Sequence, residues 1–232
     1  MEGFGPRIMF YIGDIVISET VVVTWVIMAM LIIGAWLLTR NFEKIPKGAQ
    51  NVVEVLVDTI NNFTTETMGE KNRVFAPYIG TIFLFLTVGN LIGLLGLRPP
   101  TSDVNTTFAL SMLTFVIIHY NSIKYSSLGG YVKGYFEPFP VLFPMNVLGD
   151  LATPISLSFR LFGNVTGGLI VMSLLYQALA SFSSMIGLKT IPVLQAVIPV
   201  VFHVYFDMFS GILQSFIFVM LSMVFIGDAT GD

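Results

Sequence analysis

Cysteine is missing altogether from the 232 residues. Its absence excludes disulfides, thiolate metal sites and cysteine nucleophiles, and leaves the redox compartment open. Histidine is almost as scarce, with only His119 and His203, far apart in the chain. Charge is scarce too: 11% of residues carry it, against about 25% in an ordinary soluble domain. No GxxxxGK[ST], HExxH or GxSxG occurs, so no nucleotide cradle, helix-borne zinc site or serine-hydrolase elbow is expected. Without a clustered acid–base or metal constellation the chain reads as non-catalytic and free of cofactors. The net charge of −3 is small and gives no reason to expect nucleic acid as a partner. Residues 1–18 lack a basic region ahead of a short apolar one with a small-residue cleavage site, so no cleavable signal peptide is expected.

What is present is apolar. Hydrophobic residues make up 55% of the chain, 21 of them phenylalanine, and mean hydropathy is +0.84. Such a chain cannot cover itself with polar groups, so lipid is its main solvent. Apolar runs long enough to cross a bilayer extend over Ile15–Leu38, Val74–Leu97 and Val104–Ile123. The third contains His119, whose ordinary role at such a position is packing. Asn51–Met68 differs: Val52, Val53, Leu56, Ile60 and Phe63 recur at helical spacing while Glu54, Asp58 and Asn61 face elsewhere, the pattern of an amphipathic surface helix. Gly89 and Gly93 permit close helix approach within the second span. Lys124–Glu137 reads as a polar, glycine-bearing loop.

Two further segments, Val141–Gly187 and Pro192–Ile226, are too long for upright spans. The shorter, as a straight helix of about 1.5 Å per residue, would extend about 52 Å against a hydrocarbon core of about 30 Å. Either each is broken at its proline and glycine positions, or both cross steeply tilted. The expected fold is therefore a single all-α membrane domain over 1–232, with five embedded segments and one surface helix. Basic residues set its orientation. Arg40, Lys44, Lys47, Lys71, Arg73, Lys124 and Lys133 fall on one side, and Arg7, Arg98 and Lys189 on the other. The first group marks the cytoplasmic side, which puts the N-terminus outside and the C-terminus inside.

Both long segments carry polar stripes. Asn146, Asp150, Thr153, Arg160, Asn164 and Gly167 approximate one face of the first; His203, Asp207, Ser210 and Gln214 fall at i, i+4, i+7 and i+11 on the second. Arg160 has no acidic neighbour within five residues on either side. Its guanidinium stays charged, at a cost of about 2.5–3.5 kcal/mol near mid-membrane. A polar cavity or partner compensates it, unless the side chain merely snorkels from a helix end.

Ser156-Leu157-Ser158-Phe159-Arg160-Leu161-Phe162-Gly163-Asn164, with Leu213-Gln214-Ser215-Phe216-Ile217-Phe218 some fifty residues on, resembles subunit a of the rotary F-type ATP synthase. The resemblance extends over nearly the whole chain, including Asn90-Leu91-Ile92-Gly93-Leu94 and Pro100-Thr101-Ser102-Asp103-Val104-Asn105-Thr106-Thr107. It implies a stator subunit of the bacterial cell membrane, with two long inclined helices beside a ring of c subunits. The implied partners are that ring, the b subunits of the peripheral stalk, membrane lipid and, through the complex, the soluble ATPase sector where nucleotide chemistry resides. It also implies two aqueous half-channels separated by Arg160, which blocks direct ion passage and favours the ionised rotor carboxylate. Asn164 and Gln214 match the residues that flank the arginine; Asn146, Asp150 and Asn90 are weaker inner half-channel candidates, and Ser210 a further weak half-channel candidate.

One departure stands out. Many bacterial relatives place a glutamate nine residues after the arginine, where this chain has Leu169, and Asp207 stands seven residues before Gln214. The acid has moved between helices, to serve as the outer relay or only to pair with Arg160 or His203. Proton and sodium ion both remain open as the coupling ion. A stand-alone channel or secondary transporter is the competing class, but neither a filter sequence nor related halves occur.

Overall fold

The computed structural model describes residues 7–45, 47–185 and 193–231. Its first element departs from the apolar reading. Ile8–Ile12 (β1) and Ile15–Ser18 (β2) pair antiparallel across Gly13–Asp14, with Gly13 at φ +61°. A two-residue hairpin loop requires that left-handed backbone, and a Gly-Asp pair between β-branched runs is a sequence signal for it. The first span therefore begins at Glu19 and not Ile15: α1 runs Glu19–Thr39.

The surface segment forms α2, Ala49–Met68, closed by Gly69 at φ +82°. Its C-terminal half packs on the bundle, where Thr64 and Met68 are buried and Phe63 stacks on Phe216 at 5.5 Å between centroids. Val52 and Val55, nearer its start, remain exposed. A 3-10 turn over Glu70–Phe75 leads into α3, Ala76–Leu91, and a second over Ile92–Leu95 ends at Gly96.

Asp103 caps α4 by accepting from the Asn105 amide at 3.0 Å. It also accepts from Thr20 Oγ1 at 2.9 Å, joining the starts of α1 and α4. α4 extends over Val104–Gly134, well past Ile123, with one break at Ser127 (φ 63°, ψ 155°). The stretch 124–137 is thus mostly helix: a single non-helical residue turns the chain, and the helix resumes with Tyr131 and Tyr135 four residues apart on one face. Polar and glycine content signalled a loop that backbone hydrogen bonding overrode.

The alternatives for the long segments divide between them. α5, Phe143–Met185, is 43 residues without interruption, with Pro154 inside it. At about 1.5 Å per residue it reaches about 65 Å, so it cannot stand upright in a core of about 30 Å. The last segment changes winding. α6, Val193–His203, passes into a π-helical stretch over Val204–Ser210 and then α7, Gly211–Thr230. Lys189 and the expected ends Gly187 and Pro192 lie outside the described residues.

The core joins α3, α5 and α7 through Ile79, Leu86, Leu157, Leu161, Phe218 and Met223. Among the described residues five helical segments are long and apolar enough to cross a membrane, which gives the all-α, multi-pass architecture with a small hairpin added. At one end of the bundle the Asn72 amide donates to Thr230 Oγ1 at 2.8 Å, so the end of α7 lies beside the end of α2. Close approach occurs at Gly211, where a Cβ would stand 3.0 Å from Asn90 Cβ; at Gly89 and Gly93 the nearest atoms are at ordinary contact distance.

Candidate functional site

α5 alternates its residues between two environments. Leu157, Ser158 and Leu161 turn into the core, while Ile155, Phe159, Arg160 and Asn164 turn outward. Arg160 is thus exposed beside Ile155 and Phe159, and among the described residues it makes no hydrogen bond or ion pair. Asn164 Nδ2 donates to Gln214 Oε1 at 2.5 Å across to α7. Gln214 is buried, and its own Nε2 has no partner among the described residues.

Nine residues beyond Arg160, Leu169 lines a small cleft together with Asp207, Ser210 and Asn90. Leu169 and Asp207, the two positions compared in the sequence, border one space. His203 Nδ1 lies 2.5 Å from Asp207 Oδ2, and Tyr176 Oη lies 3.1 Å from His203 Nε2. Tyr176 belongs to α5, and nothing in the sequence pattern joined it to His203. A neutral imidazole here donates through Nδ1 to the carboxylate and accepts at Nε2 from the phenol. Asp207 therefore pairs with His203, and no ion pair links it to Arg160 among the described residues. The carboxyl sits in the π-helical stretch, a winding that appears often at functional sites.

Asn90 lies in this cleft and not with Asn146 and Asp150, where it was expected. It is a clamp. Its Nδ2 donates to Gly211 O and Ser215 Oγ, both at 3.0 Å, and its Oδ1 accepts from Thr101 Oγ1 at 2.5 Å. Three elements are tied by one buried amide whose groups are all engaged.

On the other side of Arg160, three cavities lie in series along α5. The first, about 570 Å³, opens among Ser126, Glu137, Asn146 and Asp150. The second, about 320 Å³, shares Asp150 and Tyr131 with the first and adds His119, Thr153, Phe225 and Asp228. The third, about 200 Å³, shares Thr153 and Phe225 with the second and ends at Arg160. Asn146 Nδ2 donates to the carbonyls of Tyr135 at 2.9 Å and Glu137 at 3.3 Å, holding the turn that forms the mouth. Tyr135 donates its hydroxyl to Asp150 and stands beside Tyr131 at 2.5 Å between oxygens. Burial first, and then the bond to Asp150, raise the Tyr135 pKa above its usual value, so the phenol stays a donor. His119, read from sequence as a packing residue, lies 3.7 Å from Asp150. Tyr131, Tyr135 and Asp228 carried no motif; only the return of α4 and α7 to α5 assembles them.

No group of three or more His, Cys, Asp or Glu suited to a metal ion occurs among the described residues. The arrangement instead offers, on opposite sides of Arg160, a series of cavities bordered by His119, Asp150 and Tyr131 and a small cleft bordered by Asp207, whose carboxylate contacts His203 outside the lining.

Residues 21–227 match the family model described as ATP synthase A chain. The chain is 34% identical to the sodium ion specific ATP synthase subunit a of Propionigenium modestum, over 98% of this chain and 86% of that one. It is also 34% identical to ATP synthase subunit a of Moorella thermoacetica, over 96% and 95% of the two chains. With the subunit a of Trichlorobacter lovleyi it shares 37% identity, over 90% and 86%.

Proposed function

The chain belongs to the ATP synthase A chain family, and from that premise we propose that it is the non-catalytic stator subunit whose Arg160 separates two ion paths. The observation that carries this reading is the exposed Arg160, without a hydrogen bond or ion pair among the described residues, with the cavity series ending at it on one side and the Asp207 cleft beginning at Val165, five residues on.

The physical argument runs from charge. A guanidinium keeps its proton, so in lipid it requires an anionic partner. Within this chain Arg160 has none among the described residues, and a carboxylate on each c subunit of a passing ring supplies one in turn. The cation then favours the ionised form of that carboxylate and promotes ion release. A proton or sodium ion crossing directly from one recess to the other meets the same positive charge and is repelled. Asn164 and Gln214 orient the region by their mutual hydrogen bond. The exposed apolar faces of α5 and of the 193–230 segment, including Phe159, Tyr205, Phe209 and Leu213, face the ring and lipid. The b subunits hold the chain against rotation, and the soluble sector makes ATP.

The cavity series is the inner, cytoplasmic half-channel and the Asp207 cleft belongs to the outer one. Charge counting supports the sides, because the mouth at 126–137 shares an end of the bundle with the basic section 40–73. The membrane is the bacterial cell membrane, with the N-terminus outside.

Arg160→Ala tests the reading. In an assembled complex, ion-driven ATP synthesis falls by at least about 10², the scale for loss of one preorganised charge partner. Arg160→Lys is also poor, since an ammonium lacks the planar fork and can lose its proton. Near-normal synthesis by Arg160→Ala, measured in reconstituted vesicles, removes the proposal.

A further inference from the structure

We propose that His119 and Asp150 hold one exchangeable proton between them and form the loading station of the inner path, with Tyr135 fixing the carboxylate; this rests on the assignment of that path above. The basis is the hydrogen-bond inventory of His119. Its Nδ1 lies 3.0 Å from the carbonyl of Phe115, one turn back on α4. A carbonyl only accepts, so Nδ1 carries the hydrogen, and in the neutral ring Nε2 is left with its lone pair. That lone pair is 3.7 Å from Asp150 Oδ2. Two bases then face each other across a gap too long for a direct hydrogen bond and within reach of an ion pair once the imidazole takes up a proton.

The pair's surroundings are acidic and phenolic. Tyr131 and Tyr135 approach from α4 and its end, Asp228 from α7 and Glu137 from the mouth, and Glu137 is itself paired with Lys133 at 3.4 Å. Among the described residues lining the two outermost cavities there is no lysine or arginine. Asp150 and Asp228, with neither residue type in that lining, concentrate cations there. Tyr135 spends its hydroxyl hydrogen on Asp150 Oδ2, the oxygen that also faces His119, and so fixes the orientation of the carboxylate. The imidazole is held as well, with the Phe115 ring at 3.9 Å between centroids.

Asp150 borders both the mouth cavity and the middle one, and His119 borders the middle one. A proton entering past Glu137 reaches Asp150 first, passes to His119 Nε2 or remains on the carboxyl, and leaves through the cavity that ends at Arg160. No covalent bond other than those to the proton changes.

The test is ATP-driven proton uptake by the whole complex in vesicles with the soluble sector facing the medium, so that the medium bathes the inner path. The rate is followed between about pH 5 and 8, the interval in which an imidazole changes charge. His119→Gln and Asp150→Asn are expected to lower uptake about tenfold at the alkaline end, where protons are scarce, and much less at the acid end. Tyr135→Phe, which removes a single oxygen, shifts the profile in the same sense with a loss of about threefold, the value of one hydrogen bond. It carries the test alone if either other variant fails to assemble with the c ring. Unchanged rates and an unchanged pH profile in the assembled variants overturn the station, as does transport that follows sodium and ignores pH in wild type and His119→Gln alike. Arg160→Ala measured in parallel keeps the two readings apart: if it is inactive while His119→Gln is normal, only the station is lost.

Discussion

Two histidine–carboxylate pairs occupy opposite sides of Arg160, and they are built differently. His203 and Asp207 are four residues apart on one stretch of chain, in contact at 2.5 Å, with Tyr176 on the far nitrogen. His119 and Asp150 come from different helices and stand 3.7 Å apart, with Tyr135 on the carboxylate instead. In the first pair the imidazole donates to the acid, so the proton's position is set by a hydrogen bond. In the second the imidazole spends its N–H on a backbone carbonyl and turns a bare nitrogen toward the acid. The two pairs thus differ in which partner receives the imidazole hydrogen. Local helical geometry made the first, and packing of α4 on α5 made the second.

The comparison is broken most severely at Asp207. If that carboxyl relays ions, Asp207→Asn lowers ion flux about 10²-fold, within the range for a positioned acid–base group. Leu169→Glu in the same variant then restores part of the flux, because both positions border one cleft. Full flux in Asp207→Asn, or a double variant no better than the single, shows that Asp207 serves only as partner to His203.

A smaller effect sharpens the contrast between the tyrosines. His203 and Asp207 touch without help, so Tyr176→Phe costs flux no more than about threefold, measured beside Tyr135→Phe. A loss in Tyr176→Phe alone would reverse the roles given to the two pairs.

Gly211→Ala tests the frame that holds the outer pair. The added methyl would stand 3.0 Å from Asn90 Cβ and displace the amide that ties α3, α7 and the turn at Thr101. Overpacking of this kind costs about 1–3 kcal/mol, seen as a lower unfolding temperature of the purified complex. No change in that temperature would show that the clamp adapts freely.

The smallest effect concerns which side is which. Glu54→Cys and Asp58→Cys on α2 leave transport unchanged and react with a water-soluble maleimide from the cytoplasmic side, while Val53→Cys and Ile60→Cys react slowly. A tag at Gly48 that reagents reach from outside intact cells exchanges the labels inner and outer in everything above.

Much of this was legible in the residues themselves. Composition dictated a lipid-solvated helical chain, because so few charges cannot cover so much apolar surface. The i, i+4 spacing put His203 beside Asp207, and the isolated charge marked Arg160. The hairpin at residues 8–18 was legible too, in its Gly-Asp turn, but the continuous apolar run hid it. Length alone said that the last two segments were not upright spans; it did not say that α5 stays whole while residues 204–210 widen into π winding, since seven residues are too few to show a change of period.

What only the tertiary structure decided are the contacts between residues far apart in sequence. Asn90 looked like a channel residue and became a clamp, because Gly211 lets α7 come close enough for its amide to reach two acceptors. His119 looked like packing and came to face Asp150 at 3.7 Å, because α4 continues past Ile123 and carries Tyr131 and Tyr135 back toward that carboxylate. A sequence fixes which groups lie on one helical face through the constant turn of the backbone. Which faces meet depends on side-chain volumes summed over the whole core, and no local spacing records that sum.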